Sequence, residues 1–425
     1  MIQTLKNAWK VEEIRKKLIF TLLMIVVFRL GNAVPVPFVD RTILASIFDQ
    51  TGGNILGFMN LLSGGSLGNF SVFALSIYPY ITASIILQLL TVAIPSLEEL
   101  SKEGEAGQKK IQQYTKIGAV LLGIVEAIAV VNALFANAIV AKGFLEETII
   151  ITVIVAGTMF LVWMGDLITE HGIGNGISML IFIGIVSRLP HTVISWVLGI
   201  FSGDVNILAG IFMLLLTILI VTGVVLIAEG ERRITVQYAK RVVGRKMYGG
   251  QATHIPMKVN MGGVMPVIFA SSLLALPQTM GLLIGGGFGA FTDKYLSMTG
   301  DPGIYIMNVI AVVLIILFAY FYTAMQFNTV EYAKNLQQNG GFIPGIRPGR
   351  PTSEYMTKIS NRITFIGATA LAILYVVPTI LSAISGLRIS FGGTAIIIVV
   401  GVVLETFKQM ESMLLMRHYK GFLNK

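Results

Sequence analysis

Few side chains in this 425-residue chain could do bond chemistry, and their spacing argues against it. The four histidines, His171, His191, His254 and His418, show no metal-ligand spacing, and no Ser/His/Asp set is legible. The absence of cysteine removes disulfides, thiolate ligands and thiol nucleophiles. Glu126 is the only acid deep inside an apolar run. A lone intramembrane carboxylate could couple to protons. Alternatively it could face a neighbouring helix, protonated or hydrogen-bonded; ion-driven carriers carry denser polar chemistry than this. His171-Gly172-Ile173-Gly174-Asn175-Gly176 precedes an apolar run, and glycine-rich turns ahead of helices can cradle phosphate. No strand leads into it and no Walker lysine follows, so a tight interhelical turn is the better reading. The sequence therefore predicts no catalytic centre, no metal and no cofactor.

The elements that would position these residues are apolar. Mean hydropathy is +0.80, 55% of residues are hydrophobic and 12% are charged, which excludes an ordinary soluble domain. Apolar runs fall at 18–34, 71–95, 117–139, 148–166, 176–199, 207–228, 261–285, 304–326, 363–385 and 389–405. About 20 residues cross a ~30 Å hydrocarbon layer as a helix, and helices satisfy their own backbone groups there. Alternating the connecting segments across the membrane puts 25 of the 31 Lys and Arg residues on one side. The other side holds Arg29, Arg41, Lys142, Arg188, Lys294 and Arg388. Positive residues stay cytoplasmic during insertion, so ten spans with both termini inside are expected. Arg29 and Arg188, near non-cytoplasmic ends, read as snorkelling side chains.

Residues 1–17 read as an amphipathic helix on the cytoplasmic membrane surface, with Trp9 suited to the interface. Five spans in 18–199 and five in 200–411 form two halves, followed by a cytoplasmic tail, 412–425. Residues 54–67 are apolar, glycine-rich and too short to span, so they form either a surface helix or a re-entrant element. Two cytoplasmic loops are long. The 229–260 loop holds seven cations, more than orientation requires, pointing to an acidic partner; Ile234–Tyr238 is compatible with a small hairpin. The 328–358 loop ends in Gly345-Ile346-Arg347-Pro348-Gly349-Arg350-Pro351, which reads as a turn rather than a helix. In the second span, Ile81, Ile85 and Gln88 share a helical face, and Ala83 and Ser84 permit close helix approach. A solute carrier and a membrane enzyme are the competing classes; scarce intramembrane ionisable groups count against the first and the missing catalytic set against the second.

These residues carry a resemblance. Ser63-Gly64-Gly65-Ser66-Leu67 through Phe70–Ala74 to Pro79–Ile86, and Trp163–Ser178, closely resemble the SecY family, the central subunits of bacterial protein-conducting translocons. Gln237–Arg241, Lys258–Asn260, Phe269–Ser272 and Gly345–Gly349 extend the match along the chain.

The resemblance implies an all-α membrane protein. Its two pseudo-symmetric five-helix halves would enclose a central hourglass pore that conducts unfolded polypeptide and opens sideways to lipid. It implies an apolar pore ring of Ile81, Ile85, Ile181, Ile185, Ile268 and Ile398. It also implies a plug at 54–67, including Asn54, Phe58, Leu62, Gly64, Gly65 and Leu67. Gln88, Glu126, Ser271 and Ser272 would make polar contacts across the lateral gate, where a protonated Glu126 is expected to help hold closure; bacterial relatives often carry an amide there. Arg241, Arg245, Lys246, Arg347 and Arg350 would contact the motor ATPase SecA or the ribosome. SecE and SecG are the implied partner subunits.

Overall fold

The computed structural model describes all residues except 1, 41–42, 44–59, 61–62, 135–137, 140–142, 203–206, 239–240, 244–245, 249–251, 298–301, 386–392 and 424–425. A helix lies in each of the ten apolar runs. In chain order these are α2 (Glu12–Ala33), α3 (Tyr78–Ala93), α5 (Glu105–Ala129), α6 (Phe144–His171) and α7 (Gly176–Phe201), then α8 (Ile207–Glu229), α9 (Met265–Ile284), α11 (Gly303–Gln326), α13 (Arg350–Ser385) and α14 (Gly393–Leu423). By length and composition, six helices among the described residues can cross a membrane, or seven if one bent pair counts as a span. That pair is α3 and α4 (Pro95–Lys102), which meet at 101° where Pro95 interrupts the backbone ladder. α7 and α9 contain shorter apolar helices, Gly176–Pro190 and Met265–Gly281.

Several boundaries differ from the apolar runs. Ser71 bridges to Pro35 and residues 72–77 are turns, with Ser76 at φ +52°, so the second helix begins only at Tyr78. α5 starts twelve residues before its apolar run and ends in a π turn, Val130–Leu134. The N-terminal amphipathic helix is α1 (Ile2–Lys10); the chain breaks at Val11, and Glu12–Lys17 already belong to α2. α1 buries Ala8 in a small apolar cluster with Ile14, Ile173 and Met410, so it packs on α14 as well as facing the interface.

Membrane helices gain little from hydrophobic exclusion against one another, so close packing and polar bonds must hold them. A Cβ on Gly176 would overlap the carbonyl of Gly165, which brings α6 and α7 into backbone contact. Thr158, Thr169, Thr222 and Thr323 bond carbonyls four residues back, satisfying their hydroxyls within their own helices. Within the first five apolar helices the packing runs α3–α5–α6–α7, with α2 on α6; within the last five, α9–α11–α13–α14, with α8 on α13 and α14. The two sets meet where α9 lies against α3 and α5, and where α14 lies against α7.

The long cytoplasmic loops form one structure. β1 (Glu231–Tyr238) pairs antiparallel with β4 (Ala252–Lys258), Ile234 opposite Ile255, and a short hairpin of β2 (Arg241–Val243) and β3 (Lys246–Tyr248) lies between them. The 328–358 loop supplies α12 (Thr329–Gln338) and β5 (Gly341–Phe342), and β5 adds to the free edge of β1 to give the order β4-β1-β5. Ile234, Val236, Met257, Leu336, Ile343 and Met356 close a separate small core beneath this sheet. The remaining helix, α10 (Gly286–Tyr295), joins α9 to α11 on the other side.

Candidate functional site

The six isoleucines expected to form a ring stand on four helices. Ile81 and Ile85 come from α3, Ile181 and Ile185 from α7, Ile268 from α9 and Ile398 from α14. All six are at most 5% exposed and belong to one apolar cluster. Their helical spacing explains the pairs, since residues four apart lie one above the other on a face. What unites the four helices is tertiary.

The described part of the glycine-rich segment packs on α7 beside Ile185. Asn54, Phe58 and Leu62 lie outside the described residues. The described part, Asn60 and Ser63–Phe70, is largely buried inside the bundle rather than laid on its surface; Leu67 and Phe70 are fully buried with Tyr78 and Ile154. Gly64 (φ +65°) and Gly65 (φ +93°) turn the chain back in a conformation that favours glycine. Gly64 sits on the backbone of Gly184, where an added Cβ would stand 2.9 Å from its Cα, and Gly65 lies against the Arg188 guanidinium. Ser66 donates to Asn32 Oδ1 on α2 at 2.6 Å, tying the turn to the first apolar helix.

The seam between α3 and α5 on one side and α9 and α11 on the other carries two hydrogen bonds. The Tyr78 hydroxyl donates to the Ser272 carbonyl at 2.7 Å, and the Tyr322 hydroxyl donates to Gln88 Oε1 at 2.9 Å. On α3 these anchors bracket Ile81 and Ile85. Gln88 thus bonds across the seam, as the resemblance implies. The other three expected contacts differ. Ser271 Oγ bonds carbonyls of its own helix, Val267 and Ile268; Ser272 crosses through its carbonyl, while its Oγ has no partner; and both Glu126 carboxyl oxygens, fully enclosed, have none among the described residues. Tyr78 and Tyr322 were not picked from the sequence as seam residues, because nothing local pairs positions roughly 200 residues apart. Phe269 adds ring contacts to Phe318 and Tyr322, with centroids 5.8 and 5.2 Å apart.

The phosphate-cradle alternative for 171–176 is excluded by its hydrogen bonds. Ile173 N donates to Thr21 Oγ1, Gly174 N to Gln409 Oε1, Gly176 N to Thr169 Oγ1, and Ile177 N and Ser178 N to Asn175 Oδ1. With these backbone donors engaged inside the protein, the segment is an interhelical turn with an Asn cap.

The expected cytoplasmic contact residues stand on different elements of the two loops. Arg241 and Lys246 lie on β2 and β3, whereas Arg245 is outside the described residues. Arg347 is exposed at the tip, where Gly345 (φ +82°) and Gly349 (φ +97°) shape the turn. Arg350 and Pro351 already open α13 instead of extending that turn, and Arg350 pairs with Glu354 at 2.9 Å, one helical turn on.

Comparison with known proteins agrees with this geometry. The family model described as SecY matches residues 71–407. The protein translocase subunit SecY of Thermotoga maritima is 42% identical over 435 residues, covering 100% of this chain and 98% of that protein. Its Escherichia coli K12 counterpart is 40% identical, covering 97% of this chain and 94% of that protein, and that of Streptomyces coelicolor is 45% identical over the full length of both. Among solved structures, one described as a protein conducting channel aligns with TM-score 0.66 at 19% identity over 94% of this chain and 92% of that one. The channel Sec61 in a canine ribosome-channel complex aligns with TM-score 0.62 at 17% identity over 94% and 92%. At those identities the structures speak for the fold, and the sequence matches speak for the family: the chain belongs to the SecY family.

Proposed function

We propose that this chain is the central subunit of a bacterial Sec translocase. All ten apolar helices cross the cytoplasmic membrane in two five-helix halves. Unfolded polypeptide passes between the halves, and hydrophobic segments leave sideways through the seam. The observation that supports this reading is that six isoleucines from four helices are buried in one apolar cluster, with the Gly64–Gly65 turn packed on α7 beside Ile185. A ring of branched apolar groups offers no fixed polar site, so it can close around many sequences while resisting hydrated ions by dewetting.

Gating follows from magnitudes. Interhelical hydrogen bonds in membranes contribute on average only roughly 0.6 kcal/mol each. About ten apolar residues of a signal helix gain roughly 3–6 kcal/mol on entering lipid. A signal helix docked at the seam can therefore outweigh the Tyr78 and Tyr322 bonds, whereas a polar segment cannot. The driving energy comes from partners. The basic cytoplasmic loops, which supply Arg241, Arg245, Lys246, Arg347 and Arg350, dock SecA and ribosomal RNA. SecE and SecG flank the bundle in the bilayer.

The test is crosslinking from photoreactive residues placed at Ile81 and Ile185 to a stalled secretory chain, in membranes supplied with SecA. Crosslinks from both positions to one translocating segment support the pore and its ring together. Their absence, with stalling at this protein confirmed, removes the ring and returns a solute carrier to contention.

A further inference from the structure

Arg188 is the charged residue closest to the isoleucine ring along α7: Ile181, Ile185 and Arg188 follow one helical face at i, i+4 and i+7. A cation beside an apolar constriction is costly unless something receives it. Snorkelling toward water would satisfy the charge, yet the side chain is half-buried and its guanidinium lies on the re-entrant turn. Arg188 Nη2 donates to Asn60 Oδ1 at 3.4 Å, and the guanidinium covers Gly65, where a Cβ would overlap it. Asn60 organises that turn. Its Oδ1 also accepts from Gly68 N at 2.8 Å, while its carbonyl accepts from Gly65 N at 2.8 Å and from Ser63 Oγ at 3.1 Å. The arginine therefore meets a surface that exists only while the turn is folded against α7.

We propose that Arg188 is a latch: its guanidinium recognises Asn60 and the turn at Gly64–Gly65 and holds them against α7 beside Ile185 in the closed channel, and the contact breaks when they leave. This rests on reading the chain as a protein-conducting channel. The latch is weak enough to release. The hydrogen bond is long, and Arg188 feels the like charge of Arg29 on α2. Snorkelling would need neither the bare Gly65 nor the Asn60 acceptor.

The experiment measures resting ion conductance of the purified translocase complex in planar bilayers, without substrate, and SecA-driven translocation by the same preparations. Losing a hydrogen bond to a charged group should raise resting conductance about tenfold in Arg188→Ala. Arg188→Lys, which can still snorkel but lacks the planar fork, should leak as well. Asn60→Ala should leak, and Arg188→Ala combined with Asn60→Ala should leak no more than the worse single variant, because both remove one interaction. Parent-level conductance in both Arg188 variants, with normal translocation, overturns the latch and leaves the channel reading intact. Additive leaks in the double variant overturn it too. A parent complex that does not translocate removes the channel reading and the latch with it.

Discussion

Tyr78 and Tyr322 each hold the seam through a single hydroxyl, and their α3 positions, Tyr78 itself and the Tyr322 acceptor Gln88, bracket Ile81 and Ile85. Tyr322→Phe keeps the ring packing against Phe269 and removes only the donor to Gln88. It should shift the closed–open balance by about 0.6 kcal/mol, or roughly threefold, and should raise export of a reporter carrying a weakened signal sequence. Unchanged stringency would show that the bond does not restrain the seam. Glu126 differs, since its oxygens find no partner among the described residues. An unpaired buried carboxylate is expensive, so a protonated Glu126 that helps hold closure does so through packing and its neutral form. Glu126→Gln tests this by fixing a neutral group of the same shape: leakiness and signal stringency should respond to pH less than in the parent. Equal pH response in both would dismiss the carboxyl. At the ring, Ile81→Asn should raise resting conductance, because a polar group wets a constriction that apolar side chains keep dry.

At the scale of elements, the cytoplasmic sheet is the feature with the clearest separate cost. Val236 is fully buried between the two loops, so Val236→Asp places a charge in a small core and should unfold the platform while leaving the membrane helices inserted. Limited proteolysis should then cut within 231–258 and 329–343, and binding of SecA or ribosomes should fall; a protease-resistant platform would contradict the shared core. Arg347→Glu is the gentler probe. It lies exposed on the tip, so it should impair motor-driven translocation without changing channel abundance in the membrane. The strand at Ile234–Tyr238 was visible as alternating polarity. Its partner β5 was not, because two residues carry no periodicity and the pairing joins Gln237 to Phe342 across about half of residues 200–411.

At the scale of the whole molecule, charge and hydropathy divide the chain into a lipid-embedded bundle and a basic cytoplasmic face. Salt should separate them. Ribosome binding through Arg and Lys contacts should fall steeply between about 50 and 200 mM salt, whereas the isoleucine ring, closed by packing, should keep its resting conductance per ion unchanged. Salt-insensitive ribosome binding would place the contact elsewhere.

The number and order of apolar helices, the inside-positive orientation and the turn at 171–176 follow from sequence alone, because hydropathy, charge bias and capping act over a few to about 20 residues. The expectation that 54–67 is re-entrant rests on resemblance, since its length alone is equally compatible with a surface helix. Folding decided the rest. It chose which of many apolar side chains meet at the constriction, which hydroxyls cross the seam and which loops share a sheet. Every span is rich in isoleucine and leucine, so no local signal marks the six that converge. Packing between α3, α7, α9 and α14 buries all six in one larger apolar cluster.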